Sequence, residues 1–393
     1  MRPIRLTILM THPVQYLSPW FRYITLNCPE INLTVLYGIQ PTPNQQGVGF
    51  GRAFEWDVPL VEGYCCRFIR PAREDDNVHS EHFWGLNLPE IKAAIYETEP
   101  DVVLISGWHS IIQIRAIWAC LLKRIPILYR GDTHLGNSPS GWRKVIWVIK
   151  TRFLLWFFTG YLSVGKRTHR YLQGMGVPSE RIFKSPHCVD SDYFAAGAAL
   201  YQNPSSIEKV RTLFGLPPDD FVILFVGKLE PKKRPIDLIR AVSRLGIGTS
   251  LLIVGTGTQE RACREEVQKL GVRAVLVGFL NQSEIARAYA AADCLALPSD
   301  WGETWGLVVN EAMATGLPCV ISDRVGCAPD MISPGETGEV FKMGDTSDLA
   351  EALERIRERK RKGQDWSSAC KVRVASYSFA AATKGLLDAC KIC

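Results

Sequence analysis

The stretch Cys294-Leu295-Ala296-Leu297-Pro298-Ser299-Asp300-Trp301-Gly302-Glu303-Thr304-Trp305-Gly306-Leu307-Val308-Val309-Asn310-Glu311-Ala312-Met313-Ala314-Thr315-Gly316-Leu317-Pro318-Cys319-Val320-Ile321-Ser322-Asp323 reads as strand, loop, helix and strand in immediate succession. Cys294–Pro298 and Pro318–Ser322 are short apolar runs, and Gly306–Thr315 between them has helical spacing. Gly302 and Gly306 break the turn before the helix, and Gly316-Leu317-Pro318 stops it. Gly306 allows a ligand close to the backbone, and the first helical N–H groups after it have no partner inside the helix. Such a helix end attracts phosphate. Glu311 lies four positions after Leu307, on the same face and one turn in, whereas Glu303 precedes the helix in the mouth of the loop. A diphosphate joining a sugar to a nucleoside suits this layout, with one carboxylate near the sugar and the other near the ribose hydroxyls.

The same alternation extends through the second half. Strands are expected at Phe221–Gly227, Ser250–Gly255, Ala274–Gly278 and Gly338–Phe341 as well, with helices at Pro235–Leu245, Gln259–Leu270, Ser283–Ala292 and Thr346–Lys360. Short apolar strands between amphipathic helices imply a parallel sheet covered on both faces. In the first half Arg5–Met10, Leu33–Tyr37, Val102–Ser106, Ile125–Arg130, Tyr161–Val164 and Ile182–Lys184 read as strands. Pro19–Leu26, Pro89–Thr98, Ile111–Arg124 and Trp142–Phe158 read as helices. The fold class is therefore α/β, with two Rossmann-like parallel-sheet domains facing a cleft. The expected organisation is a first domain over 1–195, a connection over 196–218 ending in Pro217-Pro218, a second domain over 219–375, and a terminal segment over 376–393.

A hydrophobic content of 47% with 22% charged residues describes an ordinary globular chain, and the net charge of +6 is too mild to imply nucleic acid. The 12 cysteines follow no disulfide rhythm, and the lone Cys390-Lys391-Ile392-Cys393 pair has no second half for zinc. Free thiols in a reducing cytosol are expected, hence a cytoplasmic location. Neither Leu6–Phe21 nor Phe153–Gly165 is long and unbroken enough to span a membrane. The segment 142–158 mixes bases with tryptophan and phenylalanine. It suits either docking on an anionic membrane surface or a core helix with its charges outward.

The glutamate-bearing string resembles the E-x7-E motif of retaining glycosyltransferase family 4, within the glycosyl transferases group 1, which have the GT-B fold. The resemblance implies a hexosyltransferase-type enzyme with a nucleoside-diphosphate-sugar as substrate, and a terminal helix that crosses back to the first domain. It implies no cofactor and no metal. Glu303 is then catalytic, and Thr304, Trp305, Gly306, Leu307 and Glu311 bind the donor. In Gly227-Lys228-Leu229-Glu230-Pro231-Lys232-Lys233 the family places Arg and Lys where Lys228 and Lys233 stand, two cations able to neutralise a leaving diphosphate. Gly255-Thr256-Gly257 and Gly278-Phe279-Leu280 follow two further strands, and by resemblance Gly255 and the Leu280 backbone line the nucleotide pocket. Gly255-Thr256-Gly257 lacks the third glycine of a dinucleotide fingerprint, which disfavours a dehydrogenase.

The first half departs from the family. Thr11-His12-Pro13 replaces its glycine-rich first loop, a form shared by some subfamilies, and makes His12 a candidate phosphate or acceptor contact. Where relatives carry a histidine that touches the donor sugar, this chain reads Tyr129-Arg130-Gly131-Asp132. Asp132 is the catalytic candidate there, with His109 at the end of the preceding strand as a further one, and Arg130 joins His12 as a candidate acceptor or phosphate contact. Pro186-His187-Cys188-Val189-Asp190 stands where relatives have an Asn-Gly turn, and Asp190-Ser191-Asp192 falls inside that junction, so its likeness to a manganese motif is accidental. The acceptor is expected to be a glycan or a lipid-linked molecule of the cell surface. A sugar-nucleotide epimerase of the same fold and a non-catalytic nucleotide-sugar-binding scaffold are the alternatives.

Overall fold

A computed structural model describes residues 2–78, 82–201 and 203–393. The chain forms two units: Met1–Gly47, Ala53–Val189 and Phe379–Cys393 make the first, Val48–Arg52 and Asp190–Ser378 the second. The first unit carries β1 (Ile4–Met10), β2 (Ile31–Tyr37), β3 (Cys65–Phe68), β4 (Val102–Ile105), β5 (Ile127–Gly131), β6 (Gly160–Ser163) and β7 (Ile182–Lys184). These pair in the order β3-β2-β1-β4-β5-β6-β7, all parallel, with Leu6 opposite Leu33 and Val102. The second unit carries β8 (Phe221–Val226), β9 (Thr249–Val254), β10 (Ala274–Gly278), β11 (Cys294–Leu297), β12 (Cys319–Ser322) and β13 (Gly338–Phe341), in the order β10-β9-β8-β11-β12-β13. Each order reverses once, beside β1 and β4 in one sheet and beside β8 and β11 in the other. Open parallel sheets bind ligands outside the strand carboxyl ends at such reversals.

Alternation along β1 divides the first core. Leu6 and Ile8 join Trp20, Phe21 and Ile24 on one face, and Leu9 joins Leu36, Ile105 and Ile112 on the other. Ala382 and Leu386 of the terminal helix Phe379–Cys390 complete the first of these clusters. Trp20 Nε1 donates to Thr383 Oγ1 at 2.9 Å, and Ser185 Oγ donates to the Ala382 carbonyl at 2.9 Å. A Cβ at position 385 would stand 2.0 Å from the Lys184 carbonyl oxygen, so Gly385 is what lets the helix lie against β7. In the second unit β9, β11 and β12 are buried along their whole length, as a sheet covered on both faces requires.

The departures from the sequence reading have local causes. Residues 196–218 are not a bare connection: the helix Pro204–Leu213 lies there, inside the second unit. Pro204 occupies its first turn, where a missing N–H costs nothing, and Asn203 caps it by accepting from Ser206 N at 2.8 Å. The terminal segment 376–393 holds the helix Phe379–Cys390, which belongs with the first unit, and the helix Ser367–Ala375 before it stays with the second. The helix expected over 142–158 ends at Leu155. β3 was not expected: four residues pairing with β2 at the sheet's edge leave little apolar pattern to read. His187 and Cys188, standing for Asn-Gly, keep negative φ, so no glycine is needed there. Asp190 accepts from Tyr193 N at 3.0 Å, the ordinary work of an N-cap.

Candidate functional site

In the second unit the turns after β8 and β11 meet at the sheet's reversal. Asp300 N donates to the Lys232 carbonyl at 2.9 Å, which ties one turn to the other, and Gly302 N donates to Asp300 Oδ1 at 2.7 Å within the second of them. Pro231–Lys233 forms a single 3-10 turn, and Arg234 then adopts left-handed backbone before Pro235 opens the next helix. That turn directs Lys233 to Glu303, and the ammonium donates to Oε2. Both side chains are largely enclosed, 16% and 13% exposed, so the pair is an inward ion pair rather than a solvated surface contact. Gly306 caps the helix Leu307–Ala314 at φ +97°, a conformation that favours glycine. The loop beneath is pinned by Gly326 N donating to the Glu303 carbonyl and Cys327 N donating to the Trp305 carbonyl, each at 2.9 Å. Trp305 is buried, and its Nε1 donates to Asn310 Oδ1 at 2.9 Å; Thr304 sits between, its carbonyl against Gly326.

Glu311 is half-buried one turn into this helix, where Tyr289 OH donates to Oε2 at 2.5 Å. Burial pushes its carboxyl up to about 7, although the tyrosine's hydrogen bond pulls the other way. The folded value lies above the ordinary value of 4.5, so the folded state holds the proton more tightly. Stability is therefore lost as pH rises from the unfolded value through about 7, by at most about 3 kcal/mol. Glu311→Gln, which imitates the protonated form, is expected to melt above the wild type at pH 8, with the gap closing below pH 6. Calorimetry across that range checks it; an equal difference at both pH values would refute the burial account.

The other predicted donor residues surround this pair less directly. Gly227 follows β8 and donates to the Val254 carbonyl at 3.0 Å. Gly255 has φ +136°, and a Cβ there would lie 1.9 Å from the Gly227 carbonyl oxygen, so this glycine lets the two turns pack together. Leu280 is half-buried after β10. Lys228 does not join Glu303; its ammonium lies 4.5 Å from the centre of the Phe50 ring and donates to the Val48 carbonyl at 3.4 Å. Phe50 also meets Phe279 edge-on at 5.2 Å, and its carbonyl accepts from Thr256 Oγ1 at 2.6 Å. The short segment Val48–Arg52 thus touches all three turns that the sequence assigned to the nucleotide.

In the first unit a cavity of about 490 Å³ opens at the carboxyl ends of β1, β4 and β5. Its lining includes His12, His109, Arg130, Asp132, Tyr16 and His187. Here the fold brings together the first-half candidates. Asp132 Oδ2 is 3.8 Å from His187 Nε2, and the His187 ring meets Tyr16 edge-on at 6.2 Å. Burial lowers both His109 and His187 below the usual imidazole value, so both are neutral at pH 7, with Asp132 opposing the shift. Burial raises the Tyr16 phenol to about 12. Arg130 is buried, its guanidinium 4.7 Å from the Trp20 ring centre and donating to the Pro186 carbonyl at 3.2 Å. His12 shares a 3.0 Å hydrogen bond with Thr11 Oγ1. The result is one carboxylate and one guanidinium beside the neutral His109 and His187 rings, a surface suited to hydroxyl groups.

Residues 206–373 match the family model of glycosyl transferases group 1. The matched segment lies wholly within the second unit and contains Lys228, Lys233, Glu303 and Glu311. Relatives include the D-inositol 3-phosphate glycosyltransferase of Mycobacteroides abscessus, 34% identical over 208 residues, covering 51% of this chain and 44% of that protein. The sulfoquinovosyl transferase of Arabidopsis thaliana is 27% identical over 317 residues, covering 75% of this chain and 57% of the relative. The chain spans about half the length of the curated relatives it matches. Among solved structures, Anabaena HepE in complex with UDP superposes with a TM-score of 0.72 at 16% identity, over 98% of this chain and 99% of that one. A glycosyltransferase from Rickettsia africae gives 0.73 at 15% identity, over 100% and 99%. The fold is thus that of GT-B proteins, two Rossmann-like parallel-sheet units.

Three features of the two units escape sequence reasoning. Tyr289 reads as one more apolar residue of an amphipathic helix, and nothing local marks it as the partner of Glu311. Phe50 lies far from Lys228 in sequence, with only an aromatic among glycines as a signal. His187 was read for its backbone, not for its approach to Asp132.

Proposed function

We propose that the chain is a retaining, metal-independent glycosyltransferase that moves a hexosyl group from a nucleoside-diphosphate-sugar to an acceptor hydroxyl. The enclosed Lys233–Glu303 pair beside the glycine-capped helix carries this reading. In the reaction the bond from the anomeric carbon to the diphosphate oxygen breaks, the bond to the acceptor oxygen forms on the same face, and the acceptor proton passes to the departing diphosphate. Lys233 and Lys228 stabilise the charge that grows on that diphosphate, supplying what a divalent cation would otherwise supply. Lys228 then exchanges the Val48 carbonyl and the Phe50 ring for phosphate. Glu303 orients the sugar through its hydroxyls, and Glu311 accepts from the ribose hydroxyls, Tyr289 holding its carboxylate in place. Asp132, His109, His12 and Arg130 bind the acceptor and the transferred sugar in the first unit's cavity.

The UDP bound by Anabaena HepE puts UDP-sugars at the head of the donor panel, and the relatives' names add inositol 3-phosphate to the acceptors. Thermal shift with EDTA present, on wild type and Glu311→Ala, is the test. At about 100 times its dissociation constant, the right donor stabilises wild type by about 2.7 kcal/mol. The variant is expected to gain much less. A protein stabilised by no nucleotide-sugar, or by a dinucleotide alone, would rule the transferase out. With the donor named, the anomeric configuration of the product decides retention.

A further inference from the structure

The helix Trp142–Leu155 has two apolar faces. Its inner face, with Trp147, Val148 and Leu155, packs on the first unit's core. The outer row Trp142, Val145, Ile146, Ile149, Phe153 and Trp156 is 55–77% exposed. At about 100° per residue this row occupies a stripe about 100° wide, bordered by Arg143 and Lys150 on one side and Arg152 on the other. So the sequence's two options merge: this is a core helix, yet the centre of its outward face is apolar and its charges lie along the margins. Phe157, 5.0 Å from Phe153 and 5.9 Å from Trp118, joins the row to exposed Trp118 and Leu122 of the helix Ile111–Leu122.

Charge selects the occupant. Between Asp132 and Glu180 there is no acidic residue, while Arg143, Lys144, Lys150, Arg152, Lys166, Arg167 and Arg170 all fall in that interval. A symmetric pairing of this face with a second copy would set these cations against their own kind, with no carboxylate in the segment to answer them. An anionic lipid surface supplies the opposite charge and an apolar layer beneath it. Tryptophans at both ends of the row are the side chains that settle at such an interface. No helix among the described residues is long and apolar enough to cross a membrane. We infer that the outer face of Trp142–Leu155, with Trp156, seats the first unit on an anionic bilayer surface, the helix lying in the plane of the headgroups. This docking is independent of the transfer chemistry proposed above.

The experiment is co-sedimentation of the full chain with vesicles of phosphatidylcholine alone, or of phosphatidylcholine with about one-third phosphatidylglycerol, at low and high salt. Binding to the anionic vesicles is expected, weakening as salt rises, together with a blue shift of tryptophan emission. Ile149→Ser with Phe153→Ser removes the centre of the row. Arg143→Glu with Lys150→Glu reverses two marginal charges and should weaken binding about 25-fold or more, at about fivefold per cation. These four side chains are exposed, and an unchanged melting temperature verifies that each variant folds. Equal binding to both vesicles, no binding to either, or binding that survives both double variants would overturn the inference. So would a lipid-free dimer that the Ile149→Ser, Phe153→Ser variant dissolves, because the face would then belong to a second copy. Donor-induced thermal shifts on the same samples separate this result from that of the transferase reading.

Discussion

Lys233→Met is expected to lower kcat about 100- to 1,000-fold and to lower the melting temperature of the free protein as well, because Glu303 is left enclosed without its cation. The methionine keeps the unbranched stem that fills the space beside Gly227 and removes the ammonium alone. That ammonium is held inside the site by Glu303, so its charge acts where water screens it poorly. Removing one preorganised stabiliser of developing negative charge costs about 2.7–4 kcal/mol in the transition state. The loss belongs in kcat more than in KM if Lys233 strengthens its hold as the diphosphate departs. Steady-state kinetics with the donor found by thermal shift decides it. A variant that keeps turnover within a factor of about three, or one that loses donor binding alone, would place the catalytic charge elsewhere.

Arg211→Met is the largest expected loss of stability, about 3–5 kcal/mol. Arg211 lies in the helix Pro204–Leu213, 7% exposed, and forks onto both oxygens of Asp293 at 2.9 and 3.0 Å. Its other nitrogens donate to the carbonyls of Ala291, Pro218 and Asp220. Asp293 in turn accepts from Val222 N at 2.7 Å, at the start of β8. The guanidinium therefore joins this helix to β8 and to the entrance of β11. Methionine fills similar space but leaves two buried carbonyls and one part-buried carbonyl short of a donor, and a buried carboxylate with Lys360 as its remaining cation. Chemical denaturation followed by tryptophan fluorescence checks it. A shift below about 1 kcal/mol would show that Lys360 and water satisfy the site without the arginine.

The candidate site was legible where chemistry is local. Glu303, Gly306 and Glu311 belong to one turn and one helix, and glycine spacing with helical periodicity places them before any tertiary contact is considered. Lys233 could be named as a cation in the turn after β8, but its meeting with Glu303 depends on β8 and β11 being neighbours. Asp132 and His187 show the same dependence in the first unit: the loops that carry them follow β5 and β7, and the sheet's order brings both to one cavity.

By itself the sequence determined the alternation of buried strands and amphipathic helices, the two parallel sheets, and the glycine-capped helix with its two glutamates. Those are consequences of short-range periodicity and of backbone conformations that few residues tolerate. Tertiary structure alone decided which distant side chains became partners: Tyr289 with Glu311, Phe50 with Lys228, Arg211 with Asp293. It also decided that an apolar row on Trp142–Leu155 would face outward. Apolar residues on both sides of a helix read alike in sequence, and only the packing of one side against the core identifies the other as surface.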